Sequence, residues 1–165
     1  GYLRGNVEFR TCGENERESD LIGLLQRVRC ANVRADDQAV ARIDSGLLVL
    51  VGVQKGDDRA KADRLLERLL SYRVFMDADG KMNLCLRDVS GGLLLVPQFT
   101  LAADTRKGRR PSFSSAAGPE KGEELFDYLV AQAHTQLAGV QSGIFGADMQ
   151  VSLVNDGPVT FWLET

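Results

Sequence analysis

Apolar and polar positions along the chain change their period several times, and each change marks an element. Residues 21–28, "LIGLLQRV", are strand-like, and "AVARI" at 39–43 and "GLLVLVGV" at 46–53 follow at short intervals, with "ADDQ" a turn between the first two. The run "GDDRAKADRLLERLLSY" at 56–72 switches to helical spacing: Ala62, Leu65, Leu66, Leu69 and Leu70 form one stripe and charged residues fill the opposite face. Asp57 is its expected N-cap. A short strand at 73–76, an acidic turn "DADG" and "KMNLCL" come next. "LLLVPQFTLAAD" at 93–104 then reads as a buried strand, in which Pro97 predicts an edge, a bulge or an early end.

A second helix is expected from Pro119, a residue suited to the first helical position, with Phe126, Leu129, Val130, Ala133 and Leu137 buried. The tail returns to strands in "VQSGIF", in the alternating "DMQVSLV", and in "TFWLE". Between the last two lies "NDGPVT", residues 155–160, where Asn155, Asp156 and Gly157 supply flexible backbone and Pro158 stiffens it; on local grounds this is a tight turn. Residues 1–20 show no sustained period and read as an extension or disordered lead, which leaves 21–165 as a single domain.

At 165 residues the chain has enough length for one core, and its 44% hydrophobic and 26% charged content is ordinary for a globular protein. No stretch approaches the run of about 20 apolar residues that crosses a bilayer as a helix. The net charge of −3 is uneven: residues 1–20 carry three Arg against four Glu and one Asp, so the remainder is nearly neutral and any polyanion must be held by a local patch. Three cysteines, Cys12, Cys30 and Cys85, form no CxxC pair, which argues against a disulfide framework or zinc site and for a reducing compartment. His134 is the only histidine, so a histidine-rich metal site is excluded; beside the second helical stripe, it reads as a partly exposed helical residue.

Three segments carry candidate chemistry. In "PQFTL", 97–101, Gln98 and Thr100 alternate with apolar neighbours; Thr100 as nucleophile would need a base, and no His, Lys or Glu is adjacent. In "DTRKGRRPSFSS", 104–115, Arg106, Lys107, Arg109 and Arg110 surround Gly108 and only Asp104 opposes them, either as a grip for phosphates or as a solvated loop that blunts a sheet edge. The third is the Gly157–Pro158 pair, whose carbonyls a cis bond would hold in a fixed direction.

Taken together, "LLQRV", "PQFTLAADTRKGRRPSFS" and "FGADMQVSLVNDGPVT" resemble the D-aminoacyl-tRNA deacylase family, over about residues 21–164. The resemblance implies a three-layer α/β/β domain with mixed β-sheets and two main helices, dimerised across the C-terminal strands. It implies a cytoplasmic homodimeric hydrolase, without cofactor or metal, that cleaves the ester between tRNA and a D-amino acid, or glycine mischarged on tRNA(Ala). Gly157 and Pro158 would be joined by a cis bond and enter the partner's site to reject L-aminoacyl groups, with Arg27, Asn155 and Thr160 holding them. Gln98, Phe99 and Thr100 would form the catalytic wall, a backbone N–H of Phe99 or Thr100 stabilising the oxyanion and the ribose 2′-hydroxyl helping to activate water. Arg106, Lys107, Arg109 and Arg110 would bind acceptor phosphates. One position departs from the family pattern: Pro97 stands where Ser is usual, removing a hydroxyl and an N–H. A non-catalytic nucleic-acid-binding protein on the same scaffold is the alternative.

Overall fold

The computed structural model describes residues 20–165, so the 1–19 part of the extension lies outside the described residues. The elements are β1 (Ile22–Ala35), β2 (Gln38–Ile43), β3 (Gly46–Gly52), α1 (Arg59–Ser71), β4 (Phe75–Met76), β5 (Met82–Leu84), α2 (Leu86–Val89), β6 (Gly92–Pro97), α3 (Pro119–Gln136), β7 (Val140–Ser142) and β8 (Met149–Glu164). A 3₁₀ turn, Phe99–Ala102, follows β6. Among the described residues no helix is long and apolar enough to cross a membrane.

The fold is mixed α/β, as expected. β1 pairs antiparallel with β2, β3 and β8, while β3, β6 and β7 run parallel. The parallel pairs require long crossovers, and α1 and α3 lie in them, covering one face of the sheet. Alternation along β3 then divides two cores: Leu47, Val49 and Val51 meet the helices, and Leu48 meets Val28, Ala31, Val33, Ala41 and Ile43 below. That lower layer is a limb of the same hydrogen-bonded sheet. β1 pairs with β3 through Val28, then pairs with β2 from Ala31 onward, carrying β2 and the first half of β8 beneath the parallel strands.

The β1–β2 connection is the expected turn, with Asp36 and Asp37 at φ 49° and 60°, the left-handed pair that a two-residue hairpin demands. The α1 stripe is buried as read, but its cap is Asp58, whose side chain accepts from Lys61 N, while Asp57 is buried beneath. In α3, Leu125 and Gly122 are buried where Val130 and Leu137 were expected; those two are half-buried, Leu137 because it is already the extended C-cap. His134 is exposed.

Pro97 ends β6. Along β6 the N–H groups of Leu93 point to β7 and that of Gln98 to Val51 on β3, so the nitrogen of residue 97 faces the β7 side. Pairing with β7 stops at Leu95, and proline therefore removes no ladder bond there.

The tight turn expected at 155–160 is instead a bulge inside one strand. Asn155 lies opposite Val28 and Thr160 opposite Gln26, so residues 156–159 of β8 face the single Arg27 of β1. The strand continues in the same direction on both sides, and the surplus backbone is pushed out of the sheet.

Candidate active site

The bulge is braced from below by Arg27, only 6% exposed. Its Nε donates to the Asp156 carbonyl at 2.9 Å and its Nη1 to the Val74 carbonyl at 2.6 Å. From the side, Asn155 spans the loop: its Oδ1 accepts Val159 N–H at 2.7 Å and its Nδ2 donates to Thr160 Oγ1 at 2.8 Å. Arg29 adds an ion pair to Asp156 at 3.4 Å. Held at both ends, Gly157 and Pro158 are exposed, joined by a cis peptide, with Gly157 at φ +141°. Arg27, Asn155 and Thr160 thus converge on this turn.

Gln98, Phe99 and Thr100 sit elsewhere, where β6 passes into the 3₁₀ turn. Gln98 N–H extends the ladder to Val51 O at 2.8 Å, after which the chain folds over the end of β3. Gly52 permits this approach: a Cβ there would lie 2.9 Å from Leu101 Cβ and 3.3 Å from Gln98 O. Phe99 and Thr100 open the 3₁₀ turn, positions whose N–H groups have no acceptor within the helix. The Gln98 amide donates to Thr100 Oγ1, so the hydroxyl is engaged by a group that cannot deprotonate it.

Beside this segment lies a cleft of about 580 Å³, a size usual for small-molecule sites, walled by Pro97, Phe99, Phe113, Ala116, Phe145 and Met149. The rings of Phe99 and Phe113 are 5.3 Å apart and tilted by 54°. Both are exposed, at 59% and 42%, so the cleft presents aromatic faces to solvent. Phe113 and Phe145 were not among the residues the sequence singled out; they come from loops distant in the chain from "PQFTL", and an aromatic in each was the only local signal.

One chain does not bring the bulge and the cleft together. Arg27, under the bulge, pairs with Leu47 on β3, whereas Pro97 pairs with Val51. These levels differ by four residues along β3, about 13 Å at the usual strand rise. The bulge also occupies the edge of β1 opposite β3.

The basic segment forms a small hairpin closed by two bonds, Asp104 N–H to Ser112 O at 2.7 Å and Ser112 N–H to Asp104 O at 2.9 Å. Arg106 folds back on Asp104, with Nε and Nη2 at 2.9 and 2.8 Å from its two oxygens. These hydrogen bonds from the Arg106 guanidinium and its N–H hold the Asp104 carboxyl well below the usual carboxylate range. Lys107, Arg109 and Arg110 are exposed around Gly108. Arg106 is therefore a strut of the hairpin, and the other three cations project from it.

Among known proteins, the chain is 67% identical over 142 residues to a D-aminoacyl-tRNA deacylase of Pseudomonas putida (strain GB-1), covering 86% of this chain and 98% of that protein. It is 60% identical over 144 residues to one from Cellvibrio japonicus (strain Ueda107), covering 87% and 99%. A solved structure described as c-Myc DNA Unwinding Element Binding Protein superposes with a TM-score of 0.83 at 33% identity, covering 87% of this chain and 98% of that one. Another, of a probable eukaryotic D-amino acid tRNA deacylase, shares the fold at 18% identity with a TM-score of 0.75, covering 88% and 99%.

The fold and the matched proteins define the class, a tRNA deacylase and hence a hydrolase. Residues 24–164 match the family model described as D-Tyr-tRNA(Tyr) deacylase, and the chain belongs to that family.

Proposed function

We propose that the chain hydrolyses the ester joining a D-amino acid, or glycine, to the terminal ribose of tRNA, as a homodimer in which the Gly157–Pro158 bulge of one copy closes the 97–101 pocket of the other. The observation that carries this reading is the separation just described: a rigidly braced backbone feature faces outward, far from the cleft of its own chain. A feature held by a buried arginine and an asparagine bridge, yet exposed at its tip, is built to contact another molecule. Apposed to the cleft, its carbonyls would clash with an L-side chain. A D-side chain points away and glycine has nothing to clash, so selection works by exclusion.

The cleft supplies the rest. Phe99 and Phe113 offer ring faces suited to stacking a terminal base. The N–H groups that open the 3₁₀ turn can meet the oxyanion, worth roughly 3 to 4 kcal/mol for one well-placed donor. With Thr100 bound to Gln98 and His134 exposed on α3, activation of water falls to the substrate's own 2′-hydroxyl. Pro97 leaves this machinery in place, because the backbone from Gln98 onward keeps its bond to β3. The protein works in the cytoplasm under this reading, where its tRNA substrates are.

Incubation with D-Tyr-tRNA and L-Tyr-tRNA tests the reading directly. Rapid release of D-tyrosine alone is the expected result; equal hydrolysis of both, or of neither, defeats it.

The 33%-identical structure named for DNA binding favours one alternative, a nucleic-acid-binding protein with no turnover. Under either reading Lys107, Arg109 and Arg110 meet phosphate, so they cannot separate the two, but the hairpin makes a prediction of its own. Arg109→Ala is expected to lower the slope of log affinity against log salt for tRNA by about 0.7 to 0.9, the loss of one phosphate contact. Arg106→Ala is expected to weaken binding with the slope unchanged, because its guanidinium is committed to Asp104. Filter binding across a salt series reads both.

A further inference from the structure

Asp57 is buried to 2% exposure and has no role in the chemistry described above. Its Oδ2 accepts the Gln54 N–H at 2.6 Å, which fixes the turn between β3 and α1. Oδ1 has the Lys61 ammonium 3.5 Å away and otherwise, among the described residues, no hydrogen bond. The turn it fixes is joined to the cleft wall by two backbone hydrogen bonds, which together make one isolated bridge. Lys55 N–H donates to Ser115 O at 2.9 Å and Ala117 N–H donates to Val53 O at 3.0 Å, and these two bonds set Gln54 opposite Ala116.

On its other side the same wall segment is tied to the 3₁₀ turn, since Ser115 Oγ donates to Ala102 O at 2.7 Å. Residues 113–117 therefore hang between two anchors, and they carry Phe113 and Ala116 into the cleft. Asp57 does not touch the segment itself; it holds the Gln54 N–H, so without it the turn that makes these backbone bonds is no longer fixed, and the Phe99–Phe113 spacing is set less firmly from this side.

We propose that Asp57 is a positioning residue: by holding Gln54 it fixes the 113–117 wall and thereby the distance between the two phenylalanines that receive the substrate's end. This rests on the hydrolase reading for its kinetic consequence, though not for the structural one.

The carboxyl is also placed to make this brace sensitive to protons. Burial pushes it up to about 6, against opposing help from the Gln54 N–H and Lys61. The charged groups around it are Lys61 on α1 and Lys121 on α3, with Asp58, Arg59 and Glu124 lining the adjoining cavity of about 210 Å³ and Asp20 sharing Lys61 at 3.7 Å. A folded-state value above the ordinary carboxylate value means the group takes up its proton as pH falls through about 6. Because the buried carboxyl holds its proton more tightly than a solvated one, falling pH favours the closed turn over any opening that wets Asp57, and the brace tightens on the acid side.

The test uses the full chain. Asp57→Ala at pH 7.5 is expected to raise KM for D-Tyr-tRNA about tenfold with kcat within twofold, and to speed amide exchange in the peptide spanning 112–117. Asp57→Asn, whose amide oxygen still accepts the Gln54 N–H, is expected to stay within about threefold of wild type in KM. Between about pH 7.5 and pH 5 exchange in 112–117, compared at each pH, should slow in the wild type relative to Asp57→Asn, and the wild-type KM should fall relative to that of Asp57→Asn. An Asp57→Ala variant with unchanged KM and exchange overturns the proposal, as does one that lowers kcat at constant KM. Should Asp57→Ala fail to fold, the wild-type against Asp57→Asn comparison decides alone, and a flat wild-type KM and exchange overturn it. If the wild type hydrolyses no D-aminoacyl-tRNA, the hydrolase reading has failed, and exchange still decides the brace.

Discussion

Replacing Gly157 with alanine is expected to slow hydrolysis of D-Tyr-tRNA about 10- to 100-fold and to erode the preference over L-Tyr-tRNA, with tRNA affinity and thermal midpoint near wild type. At φ +141° the residue occupies backbone space that is almost closed to side chains. The added Cβ would lie 2.8 Å from Val159 Cγ2, 3.1 Å from Val159 N and 3.2 Å from Arg27 Nη2. The valine methyl can turn aside, but the backbone nitrogen is fixed by its bond to Asn155 Oδ1. The turn itself must move, and its carbonyls move with it. Because Gly157 and Pro158 are exposed, the displacement costs no core packing, which is why stability and RNA binding should survive. Single-turnover hydrolysis of both substrates, filter binding and a melting curve together check the outcome. A loss of RNA affinity in proportion to any loss of activity would speak for the binding reading.

The contrast between α1 and β8 shows what local pattern can and cannot reveal. The α1 stripe was legible because a helix buries residues by its own period, and all five positions are buried. Asp57 and Asp58 could not be told apart that way, since the cap is decided by which carboxylate reaches Lys61 N and which is drawn under the turn. "NDGPVT" has the composition of a turn, yet the residues on either side pair with the same strand in the same direction, and only the register against β1 reveals a bulge. The lower layer was hidden for a related reason: β1 reads as one strand, and its change of partner after Val28 leaves no mark in its own residues.

At the candidate site, Gln98, Thr100 and the Gly157–Pro158 pair stood out from the residues alone, but their roles, and the choice of Phe99, came from the resemblance. Arg27 bonding to Val74 O spans 47 positions, and the Phe99–Phe113 pair joins two loops. Such contacts are made by topology and carry no periodic signal. The struts of the hairpin were partly visible, as Asp104 was the one acid near four cations, but its choice of Arg106 needed the geometry.

A D-Tyr-tRNA whose terminal adenosine lacks the 2′-hydroxyl is expected to be hydrolysed about 10²- to 10⁴-fold more slowly, the range that a positioned proton-transfer group contributes. Thr100→Ala, by comparison, should remain within about tenfold of wild type, since it removes one neutral hydrogen bond. The Gln98 amide occupies Thr100 Oγ1 as a donor and can accept no proton from it through that nitrogen. His134, the chain's single histidine, is exposed near the C-terminal end of α3, at the opposite end of the helix from Pro119, which lines the cleft. The neighbouring backbone offers N–H donors at the start of the 3₁₀ turn, suited to an oxyanion but not to deprotonating water. Under the proposed reading, the substrate's vicinal hydroxyl is the group that orients and activates the attacking water. Single-turnover rates for the native and 2′-deoxy substrates, with wild type and Thr100→Ala, separate the routes: a large loss with Thr100→Ala and none with the deoxy substrate would assign the chemistry to the threonine.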